Sequence, residues 1–227
     1  MKQAGQVIEI TIFTDPLCCW SWAFQPQLQQ LKQSFGLQAL WHYRMGGLIP
    51  SWENFHDEIN SVTRPAQMGP VWMHAGQVMH MPINHQLWIK DPPASSYPAC
   101  VAVKCAQLQS QTLGVLLFDL LQQACMVEGL NIAKQTVIFD IVQKLASKDK
   151  LLSVMKFEND YFNDPGIDAF RSDLALVRSY NINRFPTLIV NARDSKAIMI
   201  SGYRAYHEVI DAVKVIAPEI NTQLSQL

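Results

Sequence analysis

The sequence has few charged residues, no strong excess of charge of either sign and no long apolar run. Asp, Glu, Lys and Arg make up 16% of its 227 residues, against roughly 25% in an average soluble protein. Eighteen basic and 19 acidic residues leave a formal net charge of −1, which argues against a nucleic-acid partner or an anionic membrane surface. No stretch approaches the roughly 18 uncharged apolar residues of a membrane-spanning helix, and a hydrophobic content of 49% excludes an intrinsically disordered chain.

Cysteine is also scarce, and its number is odd. Five cysteines are too few for the disulfide framework of a secreted domain, and we interpret Cys100, Cys105 and Cys125 as small buried apolar side chains. The segment Met1–Gln6 is polar and lacks the basic and long apolar regions of a secretory signal. We therefore expect a cytoplasmic protein with reduced thiols. The histidine spacings fit no ligand pair, and no Cys-x-x-Cys is present, so no metal site is predicted.

The first part of the chain has the pattern of a β-α-β unit. Val7–Phe13 is rich in β-branched residues, as in a buried strand. Apolar residues at steps of three and four then predict a helix from Trp20 to Phe35, kinked at Pro26. Leu40–Met45 follows as a second strand, parallel to the first.

The remainder of the chain is predicted to be mainly helical before it returns to strands. The stretch from Gly46 to about Pro93 is rich in Pro, Met and Trp and is predicted to be irregular. Helical periodicity then covers residues 95–110, 113–127, 132–147, 151–163 and 167–180.

Two short strands and a helix are predicted at the end. The strands are Thr187–Val190, which follows Pro186, and Ala197–Ser201, with a hairpin-like turn at Asn191–Lys196 between them. The helix is Ala205–Ile216. Together with the first two strands, this order predicts a mixed, mainly parallel-core sheet of four strands.

Cys18 is the residue that points most directly to chemistry. It stands where the first strand meets the first helix, beside unpaired backbone N–H groups and the positive end of the helix dipole. Both features favour the thiolate, so we expect a pKa below the roughly 8.5 of a free cysteine. A thiolate at this position is a candidate nucleophile.

Two motifs resemble the DsbA-like branch of the thioredoxin fold, especially its FrnE-like members. Asp15-Pro16-Leu17-Cys18 resembles the start of their Asp-Pro-x-Cys-x-x-Cys-Trp motif, and Phe185-Pro186-Thr187 resembles their cis-proline motif. The resemblance implies an α/β thioredoxin-like fold (β-α-β … α-β-β-α) formed by residues 1–60 and 165–227, with an all-helical domain inserted at 61–164. It further implies that Pro186 is cis and faces Cys18, leaving the Phe185 N–H and C=O free to pair with a thiol-bearing ligand as an added strand.

The chain departs from this family at the second redox position, where Ser21 replaces cysteine. A Cys-x-x-Ser site forms a mixed disulfide but cannot close the usual intramolecular one. Our first hypothesis is therefore a monothiol thiol–disulfide oxidoreductase or isomerase, with Cys18 as nucleophile, Ser21 as its hydrogen-bonding neighbour and Pro186 positioning the substrate. Cys19 is interpreted as a packing residue, because adjacent cysteines form only a strained disulfide, while Cys100 is an alternative resolving thiol.

Two other functions remain open. The chain has some similarity to kappa-class glutathione transferases and 2-hydroxychromene-2-carboxylate isomerases, which implies that glutathione binds near Ser201, Gly202 and Tyr203, at the start of the last helix. Glutathione would then be a co-substrate, with no tightly bound cofactor. The third hypothesis is a non-catalytic adaptor that uses the fold to bind a peptide. Phe185 and Trp20 are the other candidate substrate-binding residues, and Ser95 or Ser96 is interpreted as a helix N-cap.

Overall fold

One mixed sheet of four strands organises the computed structural model, which describes residues 7–193, 196–220 and 222. The strands are β1 (Ile8–Thr14), β2 (Ala39–Met45), β3 (Thr187–Ala192) and β4 (Ala197–Ser201). Their order is β2-β1-β3-β4. The β-α-β … α-β-β-α order that the resemblance implies is present, with helices between β1 and β2 near the start and on either side of β3 and β4 near the end.

The sheet is mixed, as predicted, but the prediction that it is mainly parallel is wrong. β1 and β2 are parallel, but β3 runs antiparallel to both β1 and β4. Parallel neighbours need a crossover of a dozen or more residues, and the link from β3 to β4 is far too short for one. Within the turn predicted at Asn191–Lys196, residues 194 and 195 lie outside the described residues.

Ten α-helices are described along the chain. They are α1 (Cys19–Ala23), α2 (Gln25–Phe35), α3 (Met68–Met79), α4 (Leu87–Lys90), α5 (Tyr97–Gln107), α6 (Gln111–Met126), α7 (Gln135–Lys148), α8 (Val154–Phe162), α9 (Asp164–Ser179) and α10 (Tyr206–Ile216). Helices α3 to α8 fall within the predicted insertion at 61–164, whose boundaries as a separate domain stay a prediction.

The kink predicted at Pro26 is present as a break between two helices. α1 ends at Ala23 and α2 begins at Gln25, so that Pro26 lies in the first turn of α2. Proline is favoured there because an N–H in the first turn has no acceptor within the helix, so no helical hydrogen bond is lost when the N–H is absent.

The prediction that residues 46–93 are irregular is wrong in part, because α3 and α4 lie within them. Met68, Trp72 and Ala75 are spaced by four and three and are buried on one face of α3. Pro70 does not break this helix, since it stands in the first turn. The Pro and Gly content of this stretch therefore concealed an amphipathic helix.

A buried ionic cluster links helices α5 and α9 to strand β2 of the sheet. The Asp173 carboxylate of α9 pairs with Lys104 Nζ of α5 at 2.7 Å and with Arg44 Nη1 of β2 at 3.0 Å. It also accepts a hydrogen bond from the Met45 N–H at 2.9 Å. Asp173 is fully buried, so these donors compensate a charge that is costly to remove from water.

Candidate functional site

Cys18 lies at the end of the loop after β1, as the N-cap of α1. Its backbone is extended, and its sulfur accepts a hydrogen bond from the Ser21 N–H at 3.3 Å. The thiol in turn donates to the Phe185 carbonyl oxygen at 3.4 Å. Only 4% of Cys18 is exposed, so the sulfur is enclosed between its own helix and the loop before β3.

The loop before β3 is held to its neighbours at several points. The Phe185–Pro186 peptide bond is cis, as predicted. Thr187 Oγ1 donates to the Arg184 carbonyl at 2.7 Å, and the Gly202 N–H donates to the Pro186 carbonyl at 2.9 Å. The expectation that both Phe185 backbone groups are free is wrong for the carbonyl, which accepts the Cys18 thiol. The Phe185 N–H has no hydrogen bond to any described residue.

Ser21 lies beside the sulfur, as the sequence predicts. It is buried, and it presents its N–H to Cys18. Its hydroxyl oxygen makes no hydrogen bond of its own to a described residue, yet it is near enough to stabilise a negative charge on the sulfur.

Asp15 is a site residue whose role the sequence did not indicate. It is fully buried, and its Oδ1 accepts the Leu17 N–H at 2.8 Å. Its Oδ2 accepts the Leu48 N–H at 2.7 Å, the Ser96 hydroxyl at 2.8 Å and the Cys100 thiol at 3.3 Å. This single carboxylate therefore joins the Cys18 loop to the segment after β2 and to the start of α5.

Of the two candidate N-caps, Ser95 and Ser96, Ser96 holds the N-cap position of α5 but makes no capping hydrogen bond with its side chain. Its hydroxyl bonds to Asp15 and to the backbone of Ile49. Ser95 accepts the Tyr97 N–H at 3.1 Å instead. Cys100 is fully buried, and its thiol donates a hydrogen bond to Asp15 Oδ2. This bond gives Cys100 a structural role.

Aromatic side chains surround the Cys18 motif. The Trp20 ring meets His74 of α3 edge-on, with centroids 5.8 Å apart, and lies 6.2 Å from the Tyr203 ring. Tyr203 also contacts Phe24 at 6.2 Å. His74 is exposed. We call Trp20, His74 and Tyr203 the aromatic rim.

The segment from Ser201 to Tyr203 adjoins the same loop. Ser201 ends β4, 3.5 Å from the Thr187 hydroxyl, and Gly202 binds the Pro186 carbonyl. At the start of α10, however, the Ala205 N–H already donates to the Glu208 carboxylate at 2.7 Å. The N-cap amide of that helix thus has an internal carboxylate partner, and the Tyr206 N–H, its first helical amide, donates to Gln27 Oε1 at 3.2 Å.

Comparison with known proteins identifies the family. A family model described as thioredoxin matches residues 12–211. The chain belongs to the thioredoxin family.

Solved structures with a similar fold include a disulfide isomerase and a disulfide reductase. A putative protein disulfide isomerase from Nitrosomonas europaea superposes with a TM-score of 0.77, at 17% identity over 94% of this chain and 99% of that one. A cytosolic disulfide reductase, DsbM from Pseudomonas aeruginosa, gives a TM-score of 0.64 at 20% identity, over 85% and 89% of the two chains. At these identities the likeness concerns the fold.

Relatives found by sequence carry a different description. The ClpXP adapter protein SpxH of Halalkalibacterium halodurans is 24% identical over 223 residues, covering 96% of this chain and 71% of the adapter. The SpxH of Bacillus subtilis is 22% identical over 210 residues, covering 89% and 66%. The chain thus spans about two thirds of the length of these relatives.

In this thioredoxin-family site the thiol is not activated as the sequence predicted. Burial raises the pKa of Cys18 to about 11, and the charge of Asp15 acts in the same direction. The Ser21 hydroxyl and N–H lower the pKa, but by less than burial raises it. The prediction of a pKa below that of free cysteine is therefore wrong, because desolvation outweighs the end of a short helix.

The other thiols are also buried and neutral. Burial raises the pKa of Cys105 to about 12 and those of Cys19, Cys100 and Cys125 well above their ordinary value. Cys19 packs in the main apolar core, in agreement with its interpretation as a packing residue. Backbone N–H groups of other residues lower the pKa at three of these sulfurs, that of Ser21 at Cys18, that of Trp20 at Cys19 and that of Gly47 at Cys100, in each case by less than burial raises it.

Neither a membrane span nor a metal centre is apparent in the described part of the chain. None of the helices described there is long and apolar enough to cross a bilayer. No group of three or more His, Cys, Asp or Glu side chains within 7–193, 196–220 and 222 is arranged around a common point.

Proposed function

We propose that this chain is a protein-binding adaptor of the thioredoxin fold, in which Cys18 is a masked thiol and not a turnover nucleophile. The observation that carries the proposal is the state of Cys18. The side chain is buried, its proton is donated to the Phe185 carbonyl, and its pKa is raised to about 11. A thiol of this kind is almost wholly protonated at neutral pH and is a poor nucleophile.

The surface beside the masked thiol supports binding of a polypeptide. The Phe185 N–H is a donor without a described partner, next to the start of β3, and an extended segment is able to pair with such a group. The partly exposed rings of the aromatic rim, Trp20, His74 and Tyr203, lie on the same side as the Cys18 motif. Large rings with a polar edge are favoured at protein interfaces.

The relatives named as ClpXP adapters support the same proposal. By analogy, the partner is a protein that the adaptor presents to a ClpXP-type protease, and the site of action is the cytoplasm. The proposal concerns the shared region, which covers 96% of this chain and 71% of the Halalkalibacterium halodurans adapter.

Monothiol thiol–disulfide exchange is the second candidate, favoured by the Ser21 N–H on the sulfur and by the adjacent cis-proline. In this reaction the Cys18 thiolate attacks a disulfide, forms a mixed disulfide and releases one thiolate. Glutathione, as an external thiol, then attacks the mixed disulfide and restores Cys18, leaving the substrate sulfur joined to glutathione. A kappa-like transferase, with glutathione itself as the nucleophile, is the remaining alternative.

Insulin-disulfide reduction in the presence of glutathione distinguishes the first two functions. The adaptor proposal expects the wild type and Cys18→Ser to give the same background rate. A wild-type rate clearly above that of Cys18→Ser would overturn it in favour of monothiol exchange. Calorimetry with glutathione alone tests the kappa-like alternative, for which we expect no binding heat.

A degradation assay tests the positive part of the proposal. Proteins retained by the immobilised chain are incubated with purified ClpXP, with and without added chain. We expect both the wild type and Cys18→Ser to accelerate degradation, and Trp20→Ala to lose the effect. Phe162→Ala, which removes an exposed ring stacked on Phe139 of α7, is the control and should keep the effect.

A further inference from the structure

The ring of Phe185 lies directly against Gly46, the residue after β2. A methyl group built on Gly46 would overlap three atoms of that ring, the farthest of which, Cε2, lies 2.7 Å away. Real side chains essentially never approach so closely. The missing side chain of Gly46 is therefore what leaves room for the ring.

Backbone conformation does not require a glycine here. Gly46 is not among the residues with positive φ, in contrast to its neighbour Gly47, whose φ is 65°. Its N–H is bonded to the Thr14 carbonyl at 2.6 Å, which fixes the Gly46 backbone to the end of β1. Alanine fits the backbone at position 46, so the ring of Phe185 is the obstacle to it.

The position of the ring bears on the thiol, because ring and carbonyl belong to one residue. The loop is already tied at Arg184 by the Thr187 hydroxyl and at Pro186 by the Gly202 N–H. Contact with Gly46 adds a third anchor, on Phe185 itself. The Phe185 carbonyl is then held 3.4 Å from Cys18 Sγ.

We propose that Gly46 is a positioning residue of this site: by leaving room for the Phe185 ring, it holds the Phe185 carbonyl on the Cys18 thiol and keeps that thiol masked. The inference rests on the proposed function in that it explains how masking is maintained. A hydrogen bond from the neutral thiol favours the protonated form, so losing it makes the thiolate easier to form.

The test is the pH profile of Cys18 alkylation by iodoacetamide, read by mass spectrometry of the Cys18 peptide. Gly46→Ala should displace the ring, increase the alkylation rate at neutral pH by about five-fold, the factor that the net loss of one ordinary hydrogen bond gives, and lower the midpoint of the profile. Gly69→Ala is the matched control, because a methyl group there meets nothing closer than the His85 carbonyl at 3.8 Å. It should leave rate and midpoint unchanged.

A second variant separates positioning from general loss of packing. In a Phe185→Ala background the obstacle is gone, so adding Gly46→Ala should change neither rate nor midpoint. If Gly46→Ala alone does not fold, the double variant should recover the folded state, since the overlap involves the ring alone. The proposal is overturned if Gly46→Ala leaves the wild-type profile intact, or if it has the same effect with and without the ring.

The result of the alkylation experiment can be interpreted separately from the test of the adaptor proposal. Alkylation reports access to Cys18 and its protonation, whereas insulin reduction reports turnover. Insulin reduction by the wild type would refute the adaptor function and leave the role of Gly46 standing. An unchanged alkylation profile would refute the role of Gly46 alone.

Discussion

Replacing Asp15 by asparagine tests whether a buried carboxylate organises the site. Asp15 accepts four hydrogen bonds, two of them from the backbone N–H groups of Leu17 and Leu48, one on each oxygen. An asparagine has a single side-chain oxygen, so either orientation turns its NH₂ group toward one of these N–H groups. A buried donor left without an acceptor costs about 1–3 kcal/mol, and we expect Asp15→Asn to lower the free energy of unfolding by about 2 kcal/mol at acid pH.

The pH dependence of this loss has a definite sign. Burial raises the pKa of Asp15 above its ordinary value, and the four hydrogen bonds only partly offset the rise. The folded state therefore holds the Asp15 proton to higher pH than the unfolded state. The resulting stabilisation is complete below the unfolded pKa and is lost as pH rises through the folded pKa, with a slope of at most about 1.4 kcal/mol per pH unit. Asparagine does not titrate, so the difference between the two proteins should narrow from acid to neutral pH.

Urea unfolding across that pH range measures the difference directly. Asp168→Asn is the control, because Asp168 forms an exposed surface pair with Arg171 and such pairs contribute little. A difference between wild type and Asp15→Asn that stays constant or widens toward neutral pH would refute a raised pKa at Asp15. No difference at any pH would refute its organising role.

Two further predictions concern the buried ionic cluster and the thiols. Lys104→Met removes one of the two cations paired with the fully buried Asp173 and should lower the free energy of unfolding by about 3–5 kcal/mol. The control is Lys134→Met, which removes an exposed pair with Asp91 and should lower the free energy of unfolding by at most about 1 kcal/mol. Equal urea midpoints for the two variants would contradict this prediction. In the native wild type, iodoacetamide should label Cys18 before the other cysteines. Labelling should be slow at neutral pH, and its rate should still rise up to about pH 11. Rapid labelling with a midpoint below pH 9 would show that the Cys18 thiol is not masked.

Many of the strands and helices could be predicted from the residue types along the chain. The strand β1, the break at Pro26 and the helices α5 to α9 follow from side-chain periodicity and from the fixed geometry of proline, which depend only on neighbours in sequence. The motif at Cys18 and the proline at 186 also placed the chain in the thioredoxin fold. The sequence alone also shows that Ser21 stands where a resolving cysteine would be.

The chemical state of the site depended on contacts between distant segments. Asp15 meets Leu48, Ser96 and Cys100 across 33, 81 and 85 positions of the chain. Cys18 meets Phe185 across 167. Position at a helix start favours a thiolate, and this much is visible in the sequence. Desolvation favours the thiol and depends on which segments cover the sulfur, so only the packed structure shows that it prevails.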